Sequence, residues 1–137
     1  MTSNYVTRDN YGMYAHSSNG PGPTLMGADT LLDNDVCNKD GDNLGDIKEL
    51  MIDMTSGKVA YAVLSFGGLL GMGNKLFAVP WEALTLDTLN KRFTLNVSKD
   101  ALKEAPGFSK EHWPSMSDAT WAGGVHKFYG TPYTTAQ

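Results

Sequence analysis

The chain carries one cysteine, Cys37, in 137 residues. A single thiol excludes an intramolecular disulfide and a cysteine-based metal cluster. Histidine is scarce too: His16, His112 and His126 are far apart and none is spaced as a metal pair. Basic clusters are missing. Eleven Lys and Arg stand against fifteen Asp and Glu, for a net charge of −4. That balance argues against a nucleic-acid partner, which needs a basic face, and against anionic membrane surfaces. No apolar run approaches the roughly 18 residues of a membrane span, so direct membrane insertion is not expected. Met1 is followed by neither a charged nor an apolar leader region. The expectation is a cytoplasmic protein. Asn96-Val97-Ser98 fits a glycosylation pattern, which in that setting is a chance match.

The densest apolar stretch organises the rest. Residues 57–66 and 75–81 read as two β-strands joined by the glycine-rich loop 67–74. In the first, Val59, Tyr61 and Val63 lie on one face and Ala60, Ala62, Leu64 and Phe66 on the other. A strand apolar on both faces is central, with a core inside and a helix, a tail or a second subunit outside. Burial of one Leu or Phe contributes roughly 1.5–3 kcal/mol, so neither face belongs in water. Pro80 ends the second strand, because it has no N–H for the ladder. Trp81 after it reads as a core or barrel-plug tryptophan.

The loop 67–74 differs from a phosphate-binding loop. Gly73 is followed by Asn74-Lys75 rather than Lys-Ser/Thr, and a strand rather than a helix comes next. It reads either as a wide turn permitted by its glycines, or as an exposed apolar tip carrying Leu69, Leu70 and Met72.

Upstream, residues 28–37 read as a first strand and 38–43 as a tight turn around Asp40-Gly41. Residues 44–54 form a second strand whose apolar parity changes at Gly45-Asp46 and at Lys48-Glu49. Such changes need bulges, and strong bending suits a small barrel. Counting back from Gly41 puts Val36 and Ile47 at the end positions of a calcium loop, so the motif fails. Thr55-Ser56-Gly57-Lys58 is a turn. Downstream, residues 91–97 alternate, with Phe93, Leu95 and Val97 inward. Ser98 caps a short helix over 99–105, stopped by Pro106-Gly107.

The flanks are different in kind. Residues 1–26 are rich in Asn, Ser, Gly, Pro and Thr, with Tyr5, Tyr11 and Tyr14 among them. They read as a loosely attached tail, or as an arm that packs its tyrosines on a partner subunit. Residues 108–137 show no clear period but hold Phe108, Trp113, Trp121, Phe128, Tyr129 and Tyr133. They are expected to lie across the barrel or across a neighbouring subunit. Three units result: an N-terminal extension 1–26, a barrel 27–107 and an aromatic-rich extension 108–137.

Asp40-Gly41, Leu44-Gly45-Asp46-Ile47, Ile52-Asp53, Ser56-Gly57-Lys58-Val59, Ala62-Val63-Leu64 and Pro80-Trp81-Glu82-Ala83-Leu84, in this order, resemble the PRC-barrel family over roughly residues 27–105. The resemblance implies a mainly β fold: a small closed or partly open antiparallel barrel with a short helix and long terminal extensions. Its better-known members are the cytoplasmic domain of the photosynthetic reaction centre H subunit and the C-terminal domain of a ribosome maturation factor. Both use the barrel for docking, which implies binding rather than catalysis. Neither specific role carries over, since this sequence has no counterpart of the H subunit's membrane helix or the factor's second domain.

The leading expectation is a non-catalytic adaptor that forms a homodimer and docks onto other proteins, with no cofactor and no catalytic residue. Its candidate docking surface is Phe66, Leu69, Leu70, Met72, Phe77 and Trp81. A second reading places a small apolar or quinone-like ligand between the 67–74 loop, Phe77 and Trp81. A third is an enzyme built on Asp53, Glu82 or a tail histidine. Cys37 reads as a buried inert thiol.

Overall fold

A computed structural model describes residues 9, 11–14, 22–66 and 75–133. Its frame is one seven-stranded sheet in the order β5-β6-β1-β2-β3-β4-β7. The strands are β1 (Asp35–Cys37), β2 (Asn43–Ile52), β3 (Val59–Ser65), β4 (Lys75–Pro80), β5 (Leu84–Asp87), β6 (Arg92–Leu95) and β7 (Phe108–Ser109). The helices are α1 (Ala28–Leu31), α2 (Lys99–Lys103) and α3 (Ala119–Tyr129). The end strands β5 and β7 do not pair with each other, so the bent sheet is a partly open barrel. Most neighbours are antiparallel; β1 and β6 run parallel, Val36 opposite Phe93, in contrast to the all-antiparallel expectation.

The expected strand over 28–37 is corrected. Its first part is α1, a single turn in which the Gly27 carbonyl accepts from the Thr30 and Leu31 amides. Asp33 then takes a positive φ of 68° and reverses the chain, so only Asp35–Cys37 is extended. The following turn forms as read. Asn38 Oδ1 accepts from the amides of Asp40 and Asp42 at 3.0 and 2.9 Å.

Both parity changes in β2 are bulges. Val36 pairs with Gly45 and Cys37 with Asn43, which leaves Leu44 unpaired on β1. Ile47 pairs with Leu64 and Glu49 with Val63, which skips Lys48. An extra residue bends the strand and turns Leu44 and Ile47 to the same core. Gly45 is required here: its φ is +129°, and a Cβ would overlap the Ser65 carbonyl oxygen.

The main core joins Val36, Leu44, Ile47, Ala62, Leu64, Phe77, Val79, Phe93, Leu95 and Leu102. The alternation of β6 is as read, with Phe93 and Leu95 inward. Ser98 Oγ accepts from the Ala101 amide at 3.0 Å and starts α2. β5, absent from the sequence reading, pairs along its length with β6.

The described part of the N-terminal segment packs on its own chain. Asp9 Oδ1 accepts from the Met13 amide at 2.6 Å, and Asp9 Oδ2 lies 3.8 Å from Lys91 Nζ. Tyr14 is 2% exposed and its hydroxyl bonds to Asn34 Oδ1. Burial first, then the Asp9 charge, raises this phenol to about 12. Tyr5 and His16 lie outside the described residues.

Candidate functional site

The outer face of β3 and β4 is covered by α3, which the sequence reading missed. Asp118 caps this helix by accepting from the amides of Thr120 and Trp121, and Gly130 in the left-handed region ends it. Trp121, Val125 and Tyr129 recur every four residues and so share one stripe. They meet Tyr61 and Ala78, flanked by Met51, Ala60, Phe108 and Met116. The rings of Tyr61 and Trp121 lie edge to face at 5.4 Å.

A polar link runs through this apolar contact. The Tyr61 hydroxyl shares a hydrogen bond of 3.1 Å with His126 Nε2, and His126 Nδ1 shares one of 2.8 Å with Thr131 Oγ1. Both side-chain nitrogens of the buried imidazole are therefore satisfied. Burial, then the nearby Tyr133 and Glu82, pushes the Tyr61 phenol up to about 12. Burial alone raises Tyr129, whose hydroxyl has no hydrogen-bond partner among the described residues. The bond between His126 and Tyr61 ties α3 to β3 at one register.

The residues singled out in sequence fall into separate places. Phe66 and Phe77 are buried in the main core, edge to face at 6.4 Å. Trp81 is half-buried in a 3₁₀ turn, Trp81–Ala83, with its ring 5.6 Å from Phe93. Leu69, Leu70 and Met72 lie outside the described residues. Asp53 and Glu82 are exposed on either side of β3. The Asp53 carboxylate accepts from the Thr55 amide at 2.9 Å, which holds it below the usual carboxylate range. His112 is exposed and within 3.3 Å of Ser109 Oγ. Cys37 is buried; burial raises its thiol despite the Arg92 guanidinium, whose Nη1 donates to Sγ at 3.6 Å. Among the described residues no group of three His, Cys, Asp or Glu is placed to hold a metal ion. No described helix is long and apolar enough to cross a membrane.

A short, bulged, open sheet wrapped around its main core, with a second apolar cluster under α3, defines a β-barrel module. The family model of the PRC-barrel domain matches residues 23–102, more than half of the chain. The protein belongs to the PRC-barrel family. A comparison with curated proteins finds no match. Family membership supports a non-catalytic β-barrel module; α3 and Tyr14 lie outside the matched span.

Proposed function

We propose that the protein is a cytoplasmic adaptor that forms a homodimer and docks onto other proteins, with no nucleic-acid partner. The barrel of residues 27–107 is the docking unit, and the segments 1–26 and 108–137 supply the parts that cover it. The loop between β3 and β4 is its contact surface, through Leu69, Leu70 and Met72. One observation carries this reading. Phe66 precedes the loop and Phe77 follows it, and the two rings meet inside the core. The described residues on both sides of segment 67–74 are therefore anchored in the core. Phe66 and Phe77 act as supports for that surface; Trp81, which follows the far end of β4 and packs on Phe93, stands apart from it.

The test is mass by light scattering over a concentration series of the full chain. The expected result is a dimer, shifted toward monomer by Leu70→Asp while the far-ultraviolet circular dichroism stays unchanged. A wild-type monomer at every concentration would refute self-association. An unchanged dimer in the variant would remove the loop from the contact.

A further inference from the structure

The helix α3 is built as a separable piece. It has a defined start at Asp118 and a defined stop at Gly130. Residues 110–118, outside any named strand or helix, connect it to β7. Its hold on the sheet is specific, through the stripe of Trp121, Val125 and Tyr129 and the bond from His126 to Tyr61. That hold is also weakened in two ways. Gly123 and Gly124 occupy the middle of the helix, yet a Cβ at either would meet no atom within 4 Å. Packing does not demand glycine there, and glycine in a helix interior lowers helix stability. The Tyr129 hydroxyl adds a buried polar group with no partner among the described residues.

A surface that receives this helix from its own chain offers the same contacts to an identical helix from another chain. We propose that the outer face of β2–β4 is a helix-docking site, and that its second occupant is α3 of another copy of this chain. The exchanged state places the partner's His126 against Tyr61 and the partner's Trp121 against the same ring. The aromatic stripe and the histidine bond together fix the orientation of the incoming helix, so an apolar helix without the histidine fits less well. The identity of the partner rests on the self-association reading; the docking site does not.

The test uses two complementary full-length variants. Val125→Asp spoils the helix and keeps the face; Ala78→Asp spoils the face and keeps the helix. Hydrogen exchange of the β2–β4 amides verifies that each sheet is intact. With Leu70→Asp added to both chains to remove the loop contact, native mass spectrometry of the mixture is expected to show one-to-one heterodimers, with neither variant pairing with itself. A fluorescein-labelled peptide of residues 118–131 provides a second reading that needs no folded Ala78→Asp chain. It is expected to bind full-length Val125→Asp, and to bind wild type about tenfold more weakly, because apparent affinity falls with the fraction of vacant faces. Absence of both the heterodimer and peptide uptake would overturn the docking site. Dimerisation of Val125→Asp alone, as strong as wild type, would overturn helix exchange and leave self-association standing.

Discussion

Replacing Gly45 with alanine probes a close approach of β2 to the end of β3. The residue sits at φ +129°, and an added Cβ would overlap the Ser65 carbonyl oxygen and come within 3.1 Å of Phe66 Cα. Both obstacles are backbone atoms, so no side-chain rotation relieves them. The unfavourable φ costs about 1–3 kcal/mol. Pushing β2 away from β3 disturbs the pairs Asp46↔Ser65 and Ile47↔Leu64, in the best-buried part of the core. Overpacking of that kind costs a further ~1–3 kcal/mol. The combined loss of about 2–6 kcal/mol is a large share of the roughly 5–15 kcal/mol by which a domain is stable. Gly41 supplies the control. Its φ is +88°, but a Cβ there meets nothing within 4 Å. Gly41→Ala should therefore cost only the backbone term, about 1–2 kcal/mol. Equilibrium urea unfolding of both variants, followed by tryptophan fluorescence, measures the difference as a shift of midpoint at constant slope. Equal losses in the two variants would refute the steric argument and with it the placement of the bulge at Leu44.

Two further outcomes are expected. Tyr14→Phe leaves the buried Asn34 Oδ1 without its hydroxyl partner and should cost about 1–3 kcal/mol in thermal unfolding; an unchanged melting temperature would detach the N-terminal segment from the barrel. Tyr14 and Tyr61 are raised from 10.0 to about 12 in the folded state. A raised phenol favours the protonated folded form, so its stabilisation is fully present below pH 10 and is lost as pH rises toward 12. Tyrosinate absorbance should then rise together with the loss of circular dichroism over that window, whereas titration of all tyrosines near pH 10 in a folded chain would contradict it.

Elements written in local pattern were legible. The β2–β3 turn, the two-faced β3, the alternation of β6 and the Ser98 cap all follow from neighbours in sequence. The two apolar faces of β3 imply a cover on its outer side, and α3 is that cover. The helix itself escaped because Gly123 and Gly124 dilute its apolar period, although Asp118, the spacing of Trp121, Val125 and Tyr129, and Gly130 were available signals. α1 and β5 are four residues each, too short to establish a period. The pairing of β1 with β6 depends on contacts between Val36 and Phe93, far apart in the chain, and no local residue encodes it. The same holds for the candidate site: the β3 pattern marks Tyr61 as a packing residue, and only the tertiary fold brings His126 to its hydroxyl.

That parallel pair also bears on how the molecule is made. β1 is synthesised before the other six strands of this sheet, yet it takes an interior place in it. Its β2 side can be matched early, through a short turn. Its other side must wait for β6, synthesised after β2, β3, β4 and β5. Throughout that interval the nascent barrel exposes an unmatched ladder beside Val36 and Cys37, the kind of edge that recruits foreign strands. The brevity of β1, three residues, keeps that template small until its late neighbour arrives.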